Sequence, residues 1–474
     1  MIGDEKPGVA VSAQAGGPGL DGKWWLFAAI GVGTFMSALD SSVVNIILPV
    51  VSRTFGSRLS GIQWVVTIYL LVIAGLSLSF GRLGDLRGHK AVYVWGFVVF
   101  ALGSALSGMA PSVAALIAFR GLQALGAAVL VANSPAILTR NYPPSQRGRV
   151  LGLQSTMTYL GLTVGPSLGG WLAGQFGWRA VFYVNVPVGL LALYLSVRFI
   201  PRDEPSAQAE RFDVPGALAF MAGLVALLLA LNQGYALGWG SPAVLGLFGL
   251  ALLSLGAFVL IEWRSKSPML DLRLFRTRLF SMAVVSAMFN YIGISSVLFL
   301  MPFYLQDGRG MSPNAAGLVL TTQPLIMAIA APLSGTLSDR IGSRLLSTLG
   351  MVIMTVGILL LSRLGPGVPP PLIAGALAIV GLGTGMFISP NSSALMGAAP
   401  RQRQGVASGV LAEARLVGQV LGIGLAGAIY TTILSRGQAG GANTALFNAV
   451  HVSFLVASGV AMLGAIASAG RGRS

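Results

Sequence analysis

Apolar segments near or above the roughly 20 residues that a helix needs to cross a bilayer recur along the whole chain. They fall at residues 24–48, 62–80, 91–110, 112–138, 150–172, 179–200, 214–233, 243–262, 280–303, 315–337, 345–363, 372–396, 405–434 and 446–468. A chain built this way has no water-soluble fold open to it. With 54% hydrophobic and only 9% charged residues among 474, and a mean hydropathy of +0.79, it has too few charges to cover a soluble surface. The expectation is an all-α polytopic membrane protein with fourteen transmembrane helices. Residues 1–23, rich in Gly, Ala and Pro, read as a disordered tail. They are not a signal peptide, because the apolar segment that follows is too long for one and no small-residue cleavage site follows it. With no cysteine and two histidines, disulfides, thiol chemistry and a metal centre are not expected.

Lysine and arginine assign the sides. If the N-terminus is cytoplasmic, the inner tails and loops carry 22 of them and the outer loops 6, with Arg120 and Arg415 left inside spans. The positive-inside rule then puts both termini in the cytoplasm of a cell-membrane protein. It also accounts for the net charge of +16, spread over short loops that face anionic lipid, so nucleic acid is not an expected partner.

A repeat divides the chain. Gly81–Lys90 reads GRLGDLRGHK and Gly335–Arg344 reads GTLSDRIGSR, so that Gly81, Asp85 and Gly88 match Gly335, Asp339 and Gly342. Each copy is expected in a short cytoplasmic loop after the second helix of a six-helix half. The expected organisation is a tail (1–23), an N-terminal six-helix bundle (24–200), a central region (201–279) with two inserted helices (214–262), a C-terminal bundle (280–468) and a short tail (469–474). Parallel repeats of this kind put a substrate site at their interface near mid-membrane.

Charges inside the spans are the functional candidates, because an ionisable group in hydrocarbon is costly. Asp40 lies in the first segment; Thr34, Ser37, Ser41 and Asn45 share an arc of about 80°, with Asp40 about 60° beyond Ser37. The carboxylate thus flanks a polar stripe suited to a cavity wall; the alternative is a structural aspartate satisfied by a neighbouring helix. Arg120, in the fourth segment, shares a face with Gln123 and lies at the same depth as Asp40, about 12 Å below the outer end of its span. An Asp40–Arg120 encounter is therefore feasible, either in proton transfer or as a static pair. In the fifth segment Gly161, Gly165 and Gly169 make one flat face for close helix packing, and Pro166 bends the helix. In the thirteenth, Glu413 and Arg415 are about 200° apart, so they cannot both face a cavity. Arg415 goes with Gln419 and Glu413 lies beside Gly409 and Val420. The repeat's glycines allow tight turns, and Asp85 is expected at a helix N-terminus. His89 is read as a loop residue and His451 as lying near a helix end.

Leu39–Pro49 (LDSSVVNIILP), the Gly81–Lys90 loop, Phe119–Pro135, Gly161–Leu172 (GLTVGPSLGGWL) and Gly405–Gly422 together resemble signatures of the major facilitator superfamily. Within it they are similar to the fourteen-span drug/proton antiporters (EmrB/QacA-like), over about Trp24 to Ser468. Trp178, Arg179, Phe182, Asn185 and Pro187 also match that pattern, whereas Leu86 and His89 depart from it where basic residues are common. The resemblance implies a two-bundle major facilitator fold and a cytoplasmic gating loop formed by Gly81, Asp85, Arg87, Gly88 and Lys90, with Asp339 and Arg340 in the second copy. It implies that Arg120 modulates proton transfer; Asp40 and Glu413, as acids inside spans, are the proton-coupling candidates, Glu413 being either a second protonation site or a structural pair with another span. It further implies an antiporter motif of Gly161, Gly165, Pro166, Gly169 and Gly170 that marks export rather than uptake. Candidate substrate-cavity residues are Thr34, Ser37, Ser41, Asn45, Gln123, Arg415 and Gln419.

No phosphate-binding G-x-x-x-x-G-K-[ST] run exists, so energy must come from an ion gradient. A carboxylate in a low-dielectric cavity can be protonated near neutral pH and released by a nearby cation. The expected protein is a secondary transporter, not an enzyme. It is a monomer without cofactor that exports lipophilic drugs, antibiotics or related small molecules from the cytoplasm or inner leaflet, by alternating access, against protons. The alternatives are a proton symporter or facilitator for a small metabolite, and a non-transporting membrane sensor.

Overall fold

The computed structural model describes residues 20–201, 213–265, 272–399, 404–436 and 442–471. The expected tail of residues 1–23 is corrected at its end, where Leu20–Lys23 already form the start of the first helix; the residues before Leu20, most of the central loops and the last three residues lie outside the described set. Every regular element among the described residues is helical. The long helices are α1 (Leu20–Phe55), α3 (Trp64–Arg87), α4 (His89–Met109), α5 (Val113–Asn141), α6 (Pro144–Phe176) and α8 (Asn185–Phe199), then α9 (Val214–Leu237) and α10 (Pro242–Arg264). The second half holds α11 (Arg278–Phe303), α12 (Pro313–Ile341), α13 (Ser343–Ser362), α14 (Pro370–Ala398), α15 (Gln404–Arg436) and α16 (Ala442–Ala469). Short helices α2 (Leu59–Ile62) and α7 (Ala180–Tyr183) join longer ones, and a π-helical turn, Tyr304–Gly308, follows α11.

Twelve segments among the described residues are long and apolar enough to cross a membrane. The two expected spans outside that set are α3 and α6. In α3 the described apolar run is Trp64–Ser77, and the helix continues through Leu78 and Phe80 to the polar end at Arg87. In α6 a glycine-, serine- and threonine-rich sequence dilutes the hydropathy. Helix starts follow ordinary capping: Ser112, Ser241 and Ser312 each accept a backbone N–H three residues on, and Pro242 and Pro313 open their helices.

The expected loop after the second span is not a loop. Helix α3 runs through to Arg87 and α4 begins at His89, with Gly88 alone between them at φ +89°. Its counterpart Gly342, at φ +87°, is the single break between α12 and α13. A residue with a Cβ is strained at this φ, which explains why glycine occupies both matched positions. Asp85 consequently lies in the last turn of α3, not at that helix's N-terminus. The side chains of Asp85 and Asp339 lie outside the described residues. Arg87 and Arg340 are exposed, while Lys90 donates to the carbonyls of Val197 and Ile200 and closes the end of α8. His89 is buried within α4, with Nδ1 2.7 Å from Asn133 Oδ1 on α5.

Helices α1, α3, α4, α5, α6 and α8 pack on one another, and α11 to α16 do likewise. Glycine faces repeat in both groups. Ideal Cβ atoms on Gly161 and Gly169 of α6 would meet Phe35 O and Val43 of α1 at 2.6 and 2.5 Å, and one on Gly165 would collide with Ser42. On α15, Gly418 and Gly422 meet Met288 O and Ile292 O of α11 in the same way. The groups join along α6–α12, α3–α15 and α1–α11. Helix α9 lies over α3 and α15, and α10 packs on α9 with most of its surface outward.

Candidate functional site

Asp40 is fully buried, and the structure assembles four helices around it. One oxygen, Oδ2, accepts from Arg120 Nη1 of α5 at 2.5 Å. The other, Oδ1, accepts from Gln123 Nε2 of α5 at 2.9 Å and from Asn185 Nδ2 of α8 at 2.8 Å. Arg120 also donates to Gln123 Oε1 at 2.7 Å and to Val65 O of α3 at 3.2 Å, and its guanidinium stands 4.0 Å from the Tyr69 ring centroid. Asn185 reaches Ser104 of α4. Three donors satisfy the buried carboxyl, and Arg120 is the one cation beside it among the described residues. The three donors occupy three of the carboxylate's roughly four acceptor sites.

The equal depths of Asp40 and Arg120 thus correspond to a direct ion pair. Gln123, expected on a substrate-lining face, is fully buried and belongs to this cluster. Of the stripe on α1, Thr34 and Ser41 are half-buried and Ser37 and Asn45 buried, and Gln154 of α6 donates to Thr34 at 3.4 Å. Ser37 Oγ and Asn45 Oδ1 have no hydrogen-bond partner.

Glu413 leaves the Asp40 cluster alone. It accepts from Ser77 of α3 at 2.8 Å across the two helix groups, and its second oxygen is buried without a partner. No cation is ion-paired with it among the described residues, and its partner on another span is the Ser77 hydroxyl. Arg415 and Gln419 on the same helix are half-buried. The motif on α6 divides its work: Gly161, Gly165 and Gly169 seat α6 on α1. Pro166 and Gly170 instead meet Gly317 and Pro313 of α12, joining the two groups, and Ser167 and Thr321 share a 2.5 Å hydrogen bond there.

The sequence reading missed a contact at the far end of α1. Arg53 is 3.6 Å from Asp307 and 3.4 Å from Gln306 Oε1, and Gln306 Nε2 donates to Ile46 O at 2.6 Å. Both partners lie in the π-helical turn after α11, a distortion frequent at functional sites. No periodicity in the sequence marks it.

Comparison with known proteins agrees with this architecture. The family model for the Major Facilitator Superfamily matches residues 30–263 and 283–471. The chain belongs to that superfamily. The riboflavin transporter RibZ of Clostridioides difficile is 34% identical, over 94% of this chain and 96% of its own. The multidrug resistance protein Stp of Mycobacterium tuberculosis is 35% identical, over 86% and 76% respectively. The tetracenomycin C resistance and export protein of Streptomyces glaucescens is 31% identical, over 90% and 79%. Among solved structures, an inward-facing, unoccupied bacterial homologue of the human lysosomal transporter Spinster has a TM-score of 0.70 at 15% identity, covering 96% of this chain and all of that one. That likeness concerns the fold alone. This superfamily member is a multi-pass membrane transporter, not an enzyme.

Proposed function

We propose that the protein is a fourteen-span drug/proton antiporter that exports small lipophilic molecules from the cytoplasm or inner leaflet by alternating access. The observation that carries the reading is the buried Asp40–Arg120 pair, an acid kept inside a transport bundle in a setting that a proton would rearrange. Counting α3 and α6 as spans gives fourteen. The distribution of Lys and Arg then puts both termini in the cytoplasm. On this reading residues 24–200 and 280–468 are the two moving bundles, α9 and α10 are insertions, the protein acts as a monomer, and no cofactor takes part. Glu413, at the contact with Ser77, is the second proton site, with the breaks at Gly88 and Gly342 as gating points. Relatives named for drug resistance support a drug as cargo. RibZ, similar over nearly its full length, favours a second reading in which the cargo is a metabolite.

Inverted membrane vesicles separate export from uptake. After energisation, adding cargo should dissipate the proton gradient in the native protein and not in Asp40→Asn. Cargo-driven alkalinisation on the uptake side would establish symport instead, and native rates in Asp40→Asn would move the proton to another group.

A further inference from the structure

The first turns of α1 and α6 and the C-cap of α5 enclose a cavity of about 120 Å³. Helices α1 and α6 run in the same sense, because Gly161, Gly165 and Gly169 meet α1 at progressively later residues. Depth along one therefore matches depth along the other, and the lining is graded with depth. Lys23 of α1, Tyr142 of the C-cap and Gln146 of α6 stand where the helices begin. Phe27 lies about 6 Å further along α1, and Val150 and Leu153 lie about 6 and 10 Å beyond Gln146 along α6. The cavity is polar and cationic at the helix starts and apolar toward the middle of the spans.

Tyr142 Oη donates to the carbonyl of Lys23 at 2.5 Å and so fixes the start of α1 on the end of α5. Lys23 Nζ has no hydrogen bond or ion pair among the described residues. No acid occurs from Val113 to Phe176 to balance it, while Arg140, Arg147 and Arg149 flank the joint between α5 and α6. The one acid of α1 ahead of Asp40 is Asp21, whose side chain lies outside the described residues. Gln146 is exposed and Trp24 is 57% exposed, so the cavity opens at the surface. Trp24 stands edge-on to Phe27, and Trp25 stacks on Phe199 of α8. Tryptophans at a helix start mark the level where headgroups meet acyl chains.

An occupant that fits is anionic at one end and apolar beyond it. The cavity is smaller than the roughly 300–1,000 Å³ of sites that enclose a drug-sized ligand, so the occupant leaves most of itself outside. A membrane lipid meets both conditions. We infer that the cavity holds an anionic phospholipid of the inner leaflet, with its phosphate on Lys23 and Gln146 and the start of one acyl chain against Phe27, Val150 and Leu153. The choice of leaflet rests on the cytoplasmic N-terminus of the reading above; the lipid's charge and the residues that hold it do not.

Trp24 reports the site in the purified full-length protein reconstituted into phosphatidylcholine bilayers. Phosphatidylglycerol or phosphatidylcholine brominated on an acyl chain is added at low mole fraction. Quenching of Trp24 is the difference between the native protein and Trp24→Phe. Brominated phosphatidylglycerol should quench at about 5-fold lower mole fraction, the effect of one lysine at an anionic surface. Lys23→Gln should erase most of that preference, and Gln146→Glu, at an exposed position, should abolish or reverse it. Leu153→Phe, which narrows the apolar end, should weaken quenching by both lipids. Trp263, 77% exposed on α10, is read in the same way through Trp263→Phe. Its quenching should be unchanged in Lys23→Gln and Gln146→Glu, which reports that both are folded and separates a site from attraction to a basic surface. Equal quenching of Trp24 by the two lipids, or a preference that survives both variants, overturns the inference. So does loss of the preference in millimolar inorganic phosphate, which would make the cavity a site for the free anion. The chain has no cysteine, so Lys23→Cys can be probed with a membrane-impermeant maleimide. Modification from outside intact cells would overturn the sidedness alone and leave the lipid site standing.

Discussion

Removing the charge of Asp40 leaves Arg120 buried with Gln123 Oε1, Val65 O and the face of Tyr69 as its remaining company. Breaking a buried pair from one side costs about 3–5 kcal/mol, because the remaining charge is uncompensated. Asp40→Asn adds a second fault: its amide must turn an NH₂ toward at least one of three donors. Arg120→Gln leaves the carboxylate with only the amides of Gln123 and Asn185, at a similar cost. The double variant Asp40→Asn/Arg120→Gln carries no charge, so its loss should fall well short of the sum of the two. A coupling near the top of the usual range of about 0.5–3 kcal/mol is expected. Unfolding in detergent micelles, followed by tryptophan fluorescence across the four proteins, measures it. Additivity within about 0.5 kcal/mol would refute the reasoning: the pair would be no energetic unit, and its opening could not meter a proton.

The seat of α6 on α1 predicts an order: Gly161→Ala should lower stability more than Gly165→Ala, because the first meets the carbonyl of Phe35 and the second a serine side chain. Overpacking costs about 1–3 kcal/mol; Ser42→Ala should relieve part of the Gly165→Ala loss in a thermal-unfolding series, and no relief would discount the contact. The contact of α1 with the π-helical turn can be trapped, since the chain has no cysteine of its own. Arg53→Cys/Asp307→Cys joined by a short bifunctional methanethiosulfonate should stop transport, and a reductant should restore it. Native transport in the joined protein would show that this end does not open. Glu413→Gln preserves an acceptor for Ser77, so its thermal stability should change by less than about 1 kcal/mol while protons moved per cargo fall; unchanged stoichiometry would discount Glu413 as a proton site.

Much of the helical layout is legible because bilayer length and hydropathy write themselves into every span. The pairing of Asp40 with Arg120 was within reach for a simpler reason: two isolated charges at equal depth have few other partners. Asn185 and Tyr69 were not legible as members of that cluster, since an uncharged polar residue in a helix carries no sign of which neighbour it meets. The α3–α4 junction was misread as a loop because polar composition outside the bilayer looks the same in a helix. Only the positive φ of Gly88 reveals how little chain the turn uses. Which way Glu413 and Arg415 point depends on helix rotation, which is set by Gly418 and Gly422 packing on α11.

The placement of α9 bears on leakage. Met221 of α9 packs on Gly75 of α3, while Leu228 and Leu231 pack on Gly424 of α15. The helix thus straddles the line along which those two neighbours meet. On the opposite flank, the close approach of α6 and α12 at Pro166 and Gly317 leaves no room for a methyl group. Any motion that parts the two groups stretches both flanks, and an unsealed flank would admit lipid tails or water and short-circuit the gradient. With glycine-tight contact on one side and an apolar helix laid across the other, both flanks of the seam are covered.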